Sequence, residues 1–188
     1  INIINRITLE CPGIDIYLGF VAYTDSFQIE LNANIELTKN YQYLENTIKN
    51  VYAYGGEDGP EDIPWGIERA LEKNWKSNAR YAILVADAPC HGNKYHIPEI
   101  IDFYPNGDPN RRNIEELIKN MAKKNISLFC TRITEYTDIM FQIFGNIYKD
   151  YPNCQFKVVP LESDQYLSDT VVDSAAEVYV SQRNTDFN

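Results

Sequence analysis

Residues 80–92, RYAILVADAPCHG, join a nearly continuous apolar run to a loop that contains Asp, Cys and His. Such a run is typical of a β-strand buried on both faces, as in a parallel sheet covered by helices. Asp87 follows the run directly, so its carboxylate is expected at the carboxyl end of the strand. In open α/β sheets, ligands bind in the crevice beyond that end. Functional residues are therefore expected in the loops 23–27, 54–62 and 87–98.

Strand-like and helix-like patterns alternate along the rest of the chain. We predict strands at 14–23, 27–31, 80–86, 126–130 and 156–159, and amphipathic helices at 44–52, 63–71, 114–122, 139–147 and 167–178. The apolar run at 14–23 is predicted to be a buried central strand, and 27–31 an edge strand. Strands separated by helices indicate βαβ crossovers. The predicted fold class is α/β: a doubly wound, Rossmann-like three-layer sandwich with a mostly parallel sheet and one short antiparallel edge strand.

Composition limits the classes of partner. The 188 residues suit one domain, and 27 acidic against 17 basic residues give a net charge of −10. A surface this acidic repels phosphate backbones and anionic lipids, so we expect neither nucleic-acid binding nor membrane insertion. The four cysteines show no zinc-type spacing. Cys130 and Cys154 lie in apolar, strand-like runs and are interpreted as buried free thiols, which favours a reducing, cytoplasmic location.

The loop before the second predicted helix is rich in glycine and acid. It reads GGEDGPED from Gly55 to Asp62, with four acids within six positions. Asp62 precedes Ile63-Pro64, which is typical of a helix N-cap, and that is the simpler interpretation of the acids. The alternative is that Asp58 supplies an oxygen ligand to a hard cation such as Mg²⁺ or Ca²⁺.

Three further side chains could join such a site. Asp87 could be a ligand at the strand end, or it could cap the following turn. Asp25 could complete an acidic crevice, or it could be an ordinary turn residue. His91 could act as a general base, although it more often fixes a loop by hydrogen bonding. Cys90, His91 and His96 lack the second pair of ligands that a zinc site needs, so zinc is disfavoured.

Signatures of nucleotide binding and serine catalysis are absent from the sequence. It contains no G-x-x-x-x-G-K-[ST], no G-x-G-x-x-G and no G-x-S-x-G. We therefore expect that this chain performs neither phosphoryl transfer nor acyl transfer through a serine.

Three blocks of sequence together resemble a known family. They are GFVAYTD at 19–25, GGEDGPED at 55–62 and ADAPCHG at 86–92. In this order and spacing they resemble the von Willebrand factor A domain, most closely the subtype of protist and slime-mould alpha-kinases and of hemicentin-like proteins. The resemblance spans roughly residues 1–180.

The resemblance implies a metal-ion-dependent adhesion site that holds Mg²⁺ or Mn²⁺. Asp58 and Asp87 match two of the family's metal-binding elements and are the implied ligands. Asp25, Gly55, Gly56 and His91 are implied neighbours of the site: the glycines let the loop approach the ion, and His91 holds the 87–92 loop.

The chain departs from the family pattern at its amino end. The D-x-S-x-S motif, which supplies further metal ligands in the family, does not occur. The resemblance implies that residues 1–182 form one domain lacking its first, central strand, followed by a tail at 183–188. The metal site is then incomplete, and the sheet either keeps a gap or closes up around it.

A binding module is the function that the resemblance implies. It would engage a protein partner, whose carboxylate completes the metal coordination, within a larger protein such as an alpha-kinase. One alternative is a metal-free interaction scaffold. Another is a metal-dependent hydrolase, with Asp25, Asp58 and Asp87 around Mg²⁺ and His91 as the base. Hemicentin-like proteins are extracellular, so the resemblance leaves an extracellular location open.

Overall fold

The computed structural model describes residues 2–25, 33–52, 56, 58–161, 169, 172, 173 and 176. The elements in chain order are α1 (Asn2–Glu10), β1 (Leu18–Val21), β2 (Asn34–Thr38), α2 (Tyr41–Lys49), α3 (Ile63–Glu72), β3 (Tyr81–Ala86), α4 (Ile114–Lys123), β4 (Ser127–Arg132), a 3₁₀ turn (Glu135–Thr137), α5 (Asp138–Tyr148) and β5 (Phe156–Pro160).

A three-stranded parallel sheet forms the centre of the fold. Its order is β3-β4-β5, with Ala82 opposite Leu128 and Leu128 opposite Phe156. β4 is buried along most of its length because it has a neighbour on each edge and helices flank the sheet. The parallel strands and the helices between them confirm the predicted α/β class.

Helices α3, α4 and α5 bury their apolar stripes against this sheet. On α4 the buried side chains are Ile114, Ile118, Met121 and Ala122, at the i, i+4, i+7, i+8 spacing of one helix face. On α5, Met140, Phe141, Phe144 and Tyr148 do the same. These side chains and those of β3 and β4 form one continuous core, which fixes the loops at the carboxyl ends of the strands.

A separate two-stranded sheet pairs β1 with β2 in antiparallel orientation. Leu18 lies opposite Thr38, and Val21 lies opposite Asn34. The prediction of a buried central strand at 14–23 is wrong, since the strand covers only Leu18–Val21 and is partly exposed. Among the described residues β1 has a hydrogen-bonded neighbour on one edge only, whereas a central strand needs two.

Two predicted elements fall largely on residues that the structure does not describe. The edge strand at 27–31 lies outside the described residues. So do the apolar positions of the last predicted helix, which are Leu167, Val171, Ala175 and Val178. β2 was not predicted, although Ile35 and Leu37 alternate with polar residues as in a half-buried strand.

A cavity of about 1150 Å³ separates the two sheets. Residues 14–24 line one side, β3 lines the other, and part of α3 closes the back. The Tyr23 hydroxyl spans the gap at the carboxyl end of the strands and donates a hydrogen bond to the Val85 carbonyl at 2.8 Å. Among the described residues the sheet thus keeps a gap between β1 and β3 and has not closed up.

Candidate functional site

Three polar side chains converge beyond the carboxyl ends of β1 and β3. Asp25 follows β1, Asp58 lies in the loop before α3, and His91 follows β3. One ligand atom from each lies within 4.8 Å of those of the other two. All three side chains are at least 95% buried. Asp25, Asp58 and His91 thus form a buried, largely acidic crevice.

Two atoms in this group lack the partners that buried polar atoms normally have. Asp58 Oδ1 and His91 Nε2 are buried and form no hydrogen bond. His91 Nε2 lies 3.5 Å from Asp25 Oδ1, which is too far for a good hydrogen bond. Leaving a buried polar atom unpaired costs about 1–3 kcal/mol. A ligand that these atoms could bind would recover that cost.

Asp102 holds His91 in place from the opposite side of the ring. Its Oδ1 lies 2.9 Å from His91 Nδ1, and its carboxylate also accepts from the Gly92 and Tyr104 amides at 2.7 Å and contacts His96 Nε2 at 3.1 Å. Burial alone would raise the pKa of Asp102, but these hydrogen bonds lower it below its usual value. His91 thus fixes its loop by hydrogen bonding, as the simpler interpretation of the sequence predicted.

His96 and Cys90 have other roles. The two His96 ring nitrogens contact the Ile97 carbonyl at 2.9 Å and Asp102 at 3.1 Å. Burial raises the pKa of the Cys90 thiol, so it stays protonated and is a poor metal ligand. Both residues therefore support the loop and the core.

Asp87 lies at the mouth of the crevice and is exposed. It lines the cavity between the sheets together with Glu61, and its carbonyl accepts a hydrogen bond from the Thr134 hydroxyl. It is not a member of the converging group of three. Its assignment as a metal ligand stays a prediction.

The glycine loop is described only in part. Gly55 lies outside the described residues, and Gly56 has a φ of +93°, a backbone conformation that glycine adopts at little cost. Gly56 is exposed. Its predicted role of letting the loop approach an ion stays a prediction.

Glu61 is a further carboxylate of the site that the sequence analysis did not single out. Its Oε2 is buried without a hydrogen-bond partner. Burial raises the pKa of Glu61 to about 7, and repulsion from Asp25 and Asp87 contributes. Its place among the four acids of the 55–62 loop is the signal that could have identified it. Asp102 had no such signal, because it lies in a long loop without periodicity.

Arg112 links the start of α3 to the loop between β3 and α4. Its guanidinium lies 3.1 Å from both Asp62 and Asp108 and 3.2 Å from Glu68. Asp62 also accepts a hydrogen bond from the Trp65 amide at 2.9 Å, which confirms the predicted N-cap. Two acids of the 55–62 loop therefore have different roles: Asp62 caps α3, and Asp58 points into the crevice.

Comparison with known proteins identifies a relative that is named as a kinase. The chain is 34% identical over 124 residues to "Alpha-protein kinase vwkA" of Dictyostelium discoideum, across 64% of this chain and 19% of that protein. The chain is similar to part of an alpha-protein kinase. It spans about a fifth of the length of this curated relative. No family model matches the chain.

The residues of the crevice fit a divalent cation. Two buried carboxylates supply negative charge, and the unpaired Asp58 Oδ1 and His91 Nε2 supply donor atoms that nothing in the described chain uses. Oxygen and imidazole nitrogen are both ordinary ligands of divalent metals. Among the described residues, no helix combines the length and the apolar character needed to cross a lipid bilayer.

Proposed function

We propose that this chain is a von Willebrand A-like protein-binding module that holds a divalent cation, such as Mg²⁺ or Mn²⁺, in the crevice beyond β1 and β3. The observation that carries the proposal is the convergence of Asp25, Asp58 and His91 with two unpaired, buried donor atoms. Asp87, exposed at the mouth, is proposed as an additional ligand on the side open to a partner.

The similarity to the alpha-protein kinase supports this proposal. The three sequence blocks that resemble the von Willebrand A domain are the segments that carry Asp25, Asp58 and His91. We propose that the module is part of a larger protein, such as an alpha-kinase, and that it recruits a partner to it.

The electrostatics of the crevice favour a partner carboxylate only when the cation is present. With Asp25, Asp58, Glu61 and Asp87 nearby, the empty crevice repels an acidic side chain. A bound divalent cation supplies positive charge and an open coordination position. Capture of an acidic partner is therefore expected to depend on the cation.

Selection from a displayed library of random linear peptides tests the function without a known partner. Selection on the immobilised chain in Mn²⁺ and Mg²⁺, with elution by EDTA, should enrich peptides that contain Asp or Glu. EDTA should weaken their binding at least about 10-fold, and Asp58→Asn should weaken it similarly.

The control is Asp150→Asn, which removes an exposed carboxylate in the turn before β5, at the opposite end of the parallel sheet. This variant should bind the selected peptides like the unmodified chain. Peptide binding that is indifferent to EDTA and to Asp58→Asn would contradict the proposal and favour the metal-free scaffold.

A further inference from the structure

We infer that the cation site uses His91 Nε2 as a ligand beside Asp25 and Asp58, and that it selects first-row transition-metal ions such as Zn²⁺ and Mn²⁺ over Mg²⁺ and Ca²⁺. The inference rests on the cation site of the proposed function but requires no partner protein. It concerns which atoms bind the ion and which class of ion they accept.

Asp102 holds His91 in one tautomer. Asp102 Oδ1 lies 2.9 Å from Nδ1, and the Asp102 carboxylate also accepts hydrogen bonds from the Gly92 and Tyr104 amides. An ionised carboxylate only accepts hydrogen bonds, so Nδ1 carries the proton and donates it. In the neutral ring, Nε2 then has a free lone pair. This carboxylate–imidazole arrangement is the one that orients metal-binding histidines.

The surroundings of His91 Nε2 suit an ion shared with Asp25. Nε2 is buried and has no hydrogen-bond partner. It lies 3.5 Å from Asp25 Oδ1, and a deprotonated nitrogen and a carboxylate oxygen do not attract each other. Two ligands that each lie about 2.1 Å from one metal ion, at a tetrahedral angle, are about 3.4 Å apart. The observed separation therefore suits two atoms that share an ion.

Asp58 supplies the third ligand. Its Oδ2 accepts from the Phe103 amide at 2.6 Å, which fixes the carboxylate and leaves Oδ1 unpaired. Its ligand atom is within 4.8 Å of those of Asp25 and His91. The group is therefore more than a cluster of acids, because Asp58 Oδ1 and His91 Nε2 are fully buried and have no hydrogen-bond partner.

The chemistry of this ligand set selects the ion. Mg²⁺ and Ca²⁺ prefer oxygen ligands throughout. Mg²⁺ also gives up its bound waters reluctantly, which disfavours its entry into a small, dry site. Imidazole nitrogen suits Zn²⁺ and the neighbouring transition metals, whose affinities for such a site rise from Mn²⁺ to Cu²⁺ and fall again at Zn²⁺, which still binds more tightly than Mn²⁺. The expected order of affinity is Zn²⁺, then Mn²⁺, then Mg²⁺.

Calorimetric titration of the full chain with each of the three ions tests the order. Zn²⁺ should bind at least about 100-fold more tightly than Mg²⁺. His91→Gln should weaken Zn²⁺ binding by about 10- to 100-fold and change Mg²⁺ binding by less than about 3-fold. Equal affinities for Zn²⁺ and Mg²⁺ in the unmodified chain would overturn the inference.

Because His91 is buried, its replacement could unfold the chain, so a second measurement uses the unmodified protein. In long-range ¹H–¹⁵N NMR spectra, one equivalent of Zn²⁺ should shift His91 Nε2 strongly. His96 is the internal control, since both its ring nitrogens already have partners. A Zn²⁺ titration that saturates while His91 Nε2 stays unchanged would refute its role as a ligand.

The outcomes separate this inference from the proposed function. Zn²⁺ binding at His91 together with EDTA-insensitive peptide capture would uphold the metal site and reject the cation-dependent binding module. Absence of binding by any of the three ions would reject the inference, while peptide capture could still identify a metal-free scaffold.

Discussion

At the scale of single residues, Asp102 decides the chemistry of the crevice although it does not belong to the converging group. It receives four polar contacts from the 91–104 loop, and one of them fixes the His91 ring. A change at Asp102 therefore acts on the cation site through His91 and leaves the Asp25 and Asp58 carboxylates in place.

Asp102→Asn tests this positioning role. The amide can donate to His91 Nδ1, which favours the tautomer with the proton on Nε2 and blocks the lone pair. We expect Zn²⁺ affinity to fall by about 10- to 100-fold, whereas Mg²⁺ affinity changes little. Calorimetry measures both, with Asp150→Asn as the control. Equal losses for the two ions would indicate a general structural effect instead.

Glu61 makes stability depend on pH. Its pKa is about 7 in the fold, against 4.5 for an unperturbed Glu, because of burial and neighbouring carboxylates. The folded state therefore binds a proton more tightly than the unfolded state, and the free energy of unfolding falls as pH rises from about 4.5 to about 7. The contribution is on the order of 2 kcal/mol, reduced by partial solvent exposure.

Urea unfolding at pH 5 and pH 7.5 measures this effect. Glu61→Gln should reduce the loss of stability between the two pH values, because the amide does not ionise. Exposed Glu99 provides the matched control, and Glu99→Gln should leave the pH dependence unchanged. A pH dependence that is identical in Glu61→Gln and the unmodified chain would contradict the assignment.

At the scale of elements, the apolar periodicity of the sequence predicts where helices and strands lie but not which strands pair. β3, α4 and α5 lie where their apolar spacing predicts them. The prediction that β3 is buried on both faces is wrong, because Ile83 and Val85 are exposed. The same spacing said nothing about neighbours, so 14–23 was interpreted as central, although β1 is partly exposed and its apolar residues face the cavity. Of the candidate site, the strand-end positions of Asp25 and His91 were predictable. The contact of His91 with Asp102 was not, because it depends on how an irregular loop folds back.

The start of α3 depends on the Arg112 guanidinium. The side chains of Asp62 and Asp108 are 5% and 2% exposed, and Arg112 is the cation between them. Arg112→Ala leaves two buried carboxylates without compensation, so we expect a loss of about 2–4 kcal/mol in the free energy of unfolding. Chemical denaturation measures it. Arg111→Ala, at the exposed neighbouring position, should change stability by less than about 0.5 kcal/mol.

At the scale of the whole molecule, the two sheets share no hydrogen-bonded edge among the described residues. β4 has a strand on each side, whereas β3 has one on one side and the cavity on the other. Successive residues of a strand direct their amides to opposite edges, so about half of the β3 amides face the cavity.

Hydrogen exchange should reveal this asymmetry. We expect the β4 amides to exchange slowest in the chain, the β3 amides to divide into slow and fast alternate positions, and those of β1 to divide likewise. Mass spectrometry with overlapping peptides measures these rates, and NMR resolves the alternation. Uniform protection along β3 and β4 would show that the cavity-facing edge is shielded from solvent.

The cavity also changes what a bound ion would do mechanically. Asp25 extends from the two-stranded side of the gap, whereas His91 and Asp58 are anchored to the 91–104 loop on the other side. At this end of the gap, the Tyr23 hydroxyl donates a hydrogen bond to the Val85 carbonyl and so joins the two sides. An ion held by all three side chains would cross-link the two sides of the gap. Removal of the ion by a chelator would remove this cross-link and let the two sides move relative to each other more easily.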